Sequence, residues 1–326
     1  MSSTMNFCTL FDSNYLSRGV ALYRSLEEQT TQFHLYILAF DDTCADVLKK
    51  LNLLNATVIT LPQFEDEDLL RVKKERTRGE YCWTSTSSLI LYCIQNFKLD
   101  HCTYLDADMY FYQSPKVLLD EIPKHCSVLI TEHRYTPKYD QSATSGRYCV
   151  QFMYFRNDAN GMKVLNWWRD ACIEWCYNRM EDGKFGDQKY LDNWTAQFDG
   201  VWELQNLGGG LAPWNCQQYS FSQSNDTLMG VEKRTGLAFR PVFYHFHGLR
   251  FYQNNSAIFA DKYYLLYLAV RRFFYYPYLK KIKAIEQEIK KVNTSIDPSG
   301  RKPYKDYLAE LFCKGYIVLV KKNLLL

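Results

Sequence analysis

Long apolar runs are missing from this chain. No stretch approaches the roughly 18 residues that cross a bilayer, and Tyr316-Ile317-Val318-Leu319-Val320 is far too short. No CxxC pair occurs among the 11 cysteines, an odd and scattered set. Cys172 and Cys176, one helical turn apart among hydrophobic neighbours, fit buried free thiols. No secretory signal is read at the start, where Met1-Ser2-Ser3-Thr4 leads directly into a strand-like run. These features set the expectation of a reducing cytoplasm. Charge of one sign is also scarce: the formal net charge is only +3. The body resembles no nucleic-acid groove, and no nucleic-acid partner is expected. Internal repeats and low-complexity segments are absent as well.

What little charge asymmetry exists sits at the C-terminal end. From Arg271 onward, 13 Lys/Arg face 5 Asp/Glu, leaving the rest mildly acidic. Aromatic residues are plentiful, with 26 Tyr and 20 Phe, which suits either sugar rings or ordinary core. At 326 residues the chain can bury a full core.

Apolar runs alternate with helical patterns. Strands are read at 7–11, 33–40, 56–61, 127–131, 148–155 and 241–246. Another strand ends at Asp106, and 109–112 continues extended. Helices are read at 15–26, 45–54, 89–97, 160–177, 258–274 and 280–292. The acidic run Glu65-Asp66-Glu67-Asp68 opens a further helix, where carboxylates suit the dipole. The alternation predicts an α/β fold with a mostly parallel central sheet covered on both faces. Residues 132–147 are polar and aperiodic and read as a long surface loop, a candidate lid. The expected organisation is one domain at 1–274 and a helical, basic and aromatic extension at 275–326. The aromatic and basic tail segment that straddles this boundary, Arg271-Arg272-Phe273-Phe274 and on to Lys281, is suited to an anionic membrane surface or to packing on the body or a second subunit.

Five segments carry candidate chemistry. In Thr103-Tyr104-Leu105-Asp106-Ala107-Asp108, strand alternation would turn both carboxylates toward one cation, or the acids simply mark a strand-end turn. A divalent ion held there would neutralise a diphosphate. In Tyr244-His245-Phe246-His247-Gly248-Leu249-Arg250, the imidazoles suit Mn²⁺-like ions, Gly248 admits a phosphate and Arg250 can contact it. In Cys8-Thr9-Leu10-Phe11-Asp12-Ser13-Asn14-Tyr15, a strand ends just before a helix. Asp12 and Tyr15 there either contact a base or serve the helix start. Asp187 and Gln188 stand at a helix entrance after Gly186, where they either cap it or project into a cleft. Leu207-Gly208-Gly209-Gly210-Leu211-Ala212-Pro213-Trp214-Asn215 permits close backbone approach to a ligand. Its Trp214 either walls an acceptor site or seals the core.

In this order the segments resemble the family 8-type retaining glycosyltransferases, which have the GT-A (Rossmann-like) fold; the likeness spans roughly residues 6–252. The resemblance implies a nucleotide-sugar donor, usually a UDP-sugar, with Mn²⁺ or Mg²⁺, and a glycan or lipid-linked acceptor. It places Asp106, Asp108 and His245 as metal ligands, with His247 second to His245. It places Asp12 and Asn14 against the nucleotide; beside it, the residues themselves make Thr9, Tyr15, Gly248 and Arg250, with Asp106, candidates for the nucleotide-sugar. Gln188 takes the position facing the anomeric carbon and Asp187 that of the acid on the donor sugar; apart from the resemblance, Trp214 and Asn215 are the candidates for the acceptor side. Lys189 replaces the last acid of the family's Asp-Gln-Asp, and Val150-Gln151-Phe152 replaces a small-residue strand. These departures suggest a divergent bacterial branch in surface-polysaccharide synthesis, acting in the cytoplasm or at the inner membrane face. Two rival readings are a nucleotidyltransferase and a non-catalytic carbohydrate-binding or scaffold protein. The first normally needs a Gly- and Lys-rich phosphate loop, for which Ser17-Arg18-Gly19 is a poor substitute.

Overall fold

In the computed structural model, residues 4–313 apart from 226 are described. The apolar run 316–320 lies outside them. Seven strands form the main sheet: β1 (Met5–Phe11), β2 (Phe33–Ala39), β3 (Ala56–Thr60), β4 (His101–Leu105), β6 (Val128–Glu132), β7 (Tyr148–Arg156) and β8 (Val201–Glu203). Between β4 and β6, β5 (Met109–Phe111) leaves the sheet to pair elsewhere. The order is β3-β2-β1-β4-β7-β6-β8, and β7 alone runs against its neighbours.

Both faces of the sheet are covered, so its inner strands read as unbroken apolar runs. Side-chain alternation divides them. Phe7 and Phe11 of β1, with Leu35 and Ile37 of β2, face α1 (Leu16–Gln29). Cys8 and Leu10, with Tyr36 and Leu38, face α3 (Arg78–Phe97) and α4 (Ala159–Glu174). The amphipathic α2 (Asp42–Leu51) starts on Asp41, whose carboxylate accepts from the Cys44 N–H at 2.7 Å.

Three sequence-based boundaries move. Helix α3 begins eleven residues earlier than its apolar period indicates, at a capping box of Thr77 and Glu80. Its first half is rich in Ser and Thr, whose hydroxyls satisfy themselves on the carbonyls four residues back: Thr84 on Glu80, Ser85 on Tyr81 and Thr86 on Cys82. The helix expected at 258–274 is largely absent. A short strand at Ala257–Ile258 gives way to irregular chain, held by Leu265 N–H on the Tyr139 hydroxyl and by Gln141 on the Tyr264 hydroxyl. Helical structure starts at Leu268, passes through a wide π turn and continues as α5 (Tyr276–Val292). Pro277 does not break it, because a first-turn residue needs no N–H partner.

Helix α5 buries Tyr278, Ile282, Ile285 and Ile289 in the same core as β1 and α1, and turns Lys280, Lys281, Lys283, Lys290 and Lys291 outward. Among the described residues no helix is long and apolar enough to cross a membrane. Ten cysteines in the described chain are free, nine of them buried.

Candidate functional site

The carboxylates of Asp106 and Asp108 do not sit on a strand. They occupy the turn between β4 and β5, a correction to the alternation expected from sequence. What joins them to a distant imidazole is register. Strand β5 pairs antiparallel with β9 (Phe243–His245), setting His245 opposite Met109, and the Phe246 N–H donates to the Asp108 carbonyl at 2.9 Å. The imidazole Nε2 of His245 then lies 3.0 Å from Asp108 Oδ1 and 3.6 Å from Asp106 Oδ2. Its Nδ1 lies 2.8 Å from Gln151 Oε1 on β7.

Burial raises the Asp106 carboxyl, and the neighbouring Asp108 adds to this while His245 opposes it. Burial also works against ionisation of Asp108, but the charge and hydrogen bond of His245 outweigh it and hold this carboxyl low. His245 is held well above the ordinary imidazole value by the two acids, against the effect of burial. The trio is thus a charge cluster in which a buried imidazole joins two partly exposed acids.

Above it opens a cavity of about 470 Å³, lined by Asp106, Asp187, Gln188, Trp214, His245 and His247, and by Cys149, Tyr104, Tyr264 and residues of the 132–147 loop. Asp187 is almost fully buried; desolvation, then the nearby Asp106, lift its carboxyl to about 8. Gln188 precedes a short 3-10 turn, Lys189–Asn193, but makes no cap bond to it. Its Nε2 donates instead to the Ser145 carbonyl at 2.5 Å, tying it to the loop. Trp214 does both things the sequence left open: it is 4% exposed, and it walls the cavity with its ring edge-on to His245 and His247. The glycines before it serve packing. A Cβ at Gly208 would fall 2.1 Å from the Arg240 carbonyl oxygen, and Gly210 has φ +91°.

Other sequence-selected residues stand outside that cavity. Thr9 is fully buried within β1. Asp12 accepts from the Asn14 N–H at 2.9 Å, capping the turn that holds Asn14 and Tyr15, and pairs with Arg78 at 2.8 Å. Arg18 lies over the Tyr15 ring at 4.3 Å. Arg250 pairs with Asp261 at 2.8 Å, and Gly248, at φ +75°, packs close to the same aspartate. His247, by contrast, lines the cavity; it is half exposed, 3.9 Å from Asp261. Asn215 is buried, bonding the His133 and Gly210 carbonyls and the Ala212 N–H.

Sequence reasoning missed Cys149, Gln151 and His133. Cys149 and Gln151 share one face of β7, a period-two relation the strand reading already contained. His133 stacks on Tyr135, and burial drives its imidazole down to about 3.

The donor set of two carboxylates and an imidazole with one nitrogen already engaged fits a hard or borderline divalent cation such as Mg²⁺ or Mn²⁺.

No family model matches the chain. It is 32% identical over 261 residues to the uncharacterized protein YfnF of Bacillus subtilis, covering 78% of this chain and 84% of that protein. It is 28% identical over 294 residues to YfnD of the same organism, covering 88% and 91%. Among solved structures it resembles the galactosyltransferase LgtC in complex with donor and acceptor sugar analogues. The TM-score is 0.52 at 14% identity, over 86% of this chain and 96% of that one. That likeness is one of fold, and it bears out the GT-A architecture expected from the motifs.

Proposed function

The chain belongs to the family of the Bacillus subtilis protein YfnF, and from that footing we propose that it is a divalent-metal-dependent glycosyltransferase. It moves a sugar from a nucleotide-sugar, a UDP-sugar by the motif resemblance, to a glycan or lipid-linked acceptor, with retention, in bacterial surface-polysaccharide synthesis. One observation carries this reading: Asp106 and His245 line a cleft whose wall holds Asp187 and Gln188, and Asp108 meets the same imidazole at 3.0 Å. The fold likeness to LgtC supports the same class.

Bound by Asp106, Asp108 and His245, with Mn²⁺ or Mg²⁺ as the cation, the metal would offset the charge of the diphosphate leaving group. The chain's own residues do the rest. Asp187, held protonated near neutral pH, donates to a sugar hydroxyl. Gln188, fixed by Ser145, stands beside the anomeric carbon as positive charge develops there. The bond from that carbon to the phosphate oxygen breaks with its electron pair leaving on the nucleotide. The acceptor hydroxyl adds on the same face, and its proton passes to a phosphate oxygen. Asp12, Asn14 and Tyr15 hold the nucleotide, Gly248 and Arg250 its phosphates, and Trp214 and Asn215 the acceptor side. The outward lysines of α5 supply a basic face for an anionic membrane beside a lipid-linked acceptor, at the cytoplasmic side.

The test is a thermal-shift series with UDP, Mn²⁺ and the pair, followed by a screen of nucleotide-sugars for hydrolysis. Stabilisation by the pair beyond either component, with turnover of at least one donor, is the expected result. Indifference to all three would end the reading.

A further inference from the structure

The metal floor contains a donor that the two acids and the imidazole do not account for. Cys149, on β7, is 5% exposed and lines the same cavity. Its Sγ, a carboxylate oxygen of Asp106 and a ring nitrogen of His245 all lie within 4.8 Å of one another. Asp106 and His245 thus have a thiol as their close third donor, while the Asp108 carboxylate reaches the same imidazole at 3.0 Å. The placement follows from the sheet. Strand β4 delivers Asp106 alongside β7, where the Asp106 N–H donates to the Gln151 carbonyl at 3.1 Å, and Cys149 lies two residues before Gln151 on the same strand face.

We propose that Cys149 is a ligand of the metal centre and that its sulfur tunes the site toward thiophilic divalent ions such as Zn²⁺ and Co²⁺. The inference rests on the reading of this cleft as a metal site. Carboxylate and imidazole alone suit Mg²⁺ and Mn²⁺, whereas a soft sulfur donor adds far more to Zn²⁺ or Co²⁺ than to Mg²⁺. On ligation the S–H proton leaves to solvent as the metal–sulfur bond forms, so uptake of the ion releases protons. A buried cysteine serving only as a small apolar filler would do neither.

The experiment titrates the full-length protein with Co²⁺ and records its absorption, without donor or acceptor. Visible ligand-field bands report that the cleft binds the ion; a near-ultraviolet sulfur-to-cobalt charge-transfer band reports the thiolate. The expected result is both bands in the native protein, with loss of the charge-transfer band alone in Cys149→Ser and Cys149→Ala. Zn²⁺ binding by calorimetry should weaken about tenfold or more in both variants, since even partners outside the coordination sphere cost that much, while Mg²⁺ binding stays within a few-fold. Ligand-field bands without a charge-transfer band in the native protein would overturn the inference and leave the metal site standing. A charge-transfer band that survives both substitutions would overturn it too, because the sulfur would lie elsewhere. No cobalt binding at all would remove the metal site and this inference together.

Discussion

Gln151 Oε1 lies 2.8 Å from Nδ1 of His245, and this one contact decides which imidazole nitrogen faces the carboxylates. An amide oxygen can only accept, so Nδ1 carries the proton and Nε2 is directed at Asp108 and Asp106. Gln151→Leu removes the acceptor and frees the ring to rotate. Mn²⁺ affinity should fall roughly 10–100-fold, the usual cost of losing such a partner. Gln151→Glu, which keeps an acceptor in place, should lose less. Calorimetric titration separates the two, and equal affinity in all three proteins would show that the contact does not orient the ligand.

The two acids differ in accessibility. Asp106 lines the cavity, while Asp108 is known from its contact with His245. Asp108→Asn leaves the backbone bond from Phe246 intact, since that bond uses the Asp108 carbonyl, so the β5–β9 pairing should persist. Transfer should drop by roughly three orders of magnitude, the several kcal/mol that Lewis-acid assistance contributes. The cooperative thermal shift with UDP and Mn²⁺ should vanish with it. Near-normal turnover in a folded Asp108→Asn protein would exclude the metal role.

The layered sheet and the convergence of its motifs were legible because alternation and strand–helix order are local signals. β1 announces both of its faces in five residues, Phe7 to Phe11. The helix of residues 78–88 was not legible, because buried Ser and Thr there imitate a polar loop while satisfying themselves on helical carbonyls. The chain at 259–267 failed in the opposite sense: its aromatic spacing imitates a helix, but Tyr264 is drawn to Gln141 across the cavity mouth. At the site, Asp106, Asp187, Gln188, Trp214, His245 and His247 stood out as motifs and line one cavity, whereas Gln151 and Cys149 stand out only through strand pairing and were missed.

His133 makes stability depend on pH. Its imidazole is 3% exposed and driven down to about 3 by burial, against about 6.5 in an unfolded chain. A depressed base stabilises the fold fully above the unfolded value, and that contribution drains away as pH falls from about 6.5 toward 3. At ~1.4 kcal/mol per pH unit the loss reaches a few kcal/mol. His133→Phe keeps a ring against Tyr135 and Trp214. Its melting temperature should start slightly lower at pH 7, for want of the bond to the Arg147 carbonyl, and then fall less between pH 6.5 and 4. Parallel curves for the two proteins would assign the acid sensitivity to other groups.

Asn215 separates architecture from acceptor binding. Its amide satisfies two buried carbonyls and one buried N–H around the Trp214 turn. Asn215→Ala strands the Gly210 carbonyl and the Ala212 N–H, while the His133 carbonyl keeps the Trp214 indole N–H, and should cost about 1–3 kcal/mol of stability. If acceptor contact also matters, its KM will rise in excess of any loss of folded enzyme. Measuring Tm and acceptor KM on the same preparation distinguishes the two, and an unchanged Tm would contradict the bonding role.

Gln188 tests the chemistry apart from donor affinity. The residue is anchored through Nε2 to the Ser145 carbonyl within the 132–147 loop, so its carbonyl oxygen is the group left for a sugar. An oxygen dipole placed beside a developing cation acts in the transition state more than in the ground state, and so moves kcat rather than KM. Gln188→Ala should lower kcat by about 10²-fold or more with donor KM within a few-fold. It should also loosen the loop, since Ser145 loses its tie, which limited proteolysis would read as faster cleavage near residues 140–147. Gln188→Glu supplies the control: its oxygens remain beside the sugar, but it no longer donates to Ser145. A large rise in donor KM with unchanged kcat in Gln188→Ala would make this residue a donor clamp and move the charge-stabilising role to Asp187.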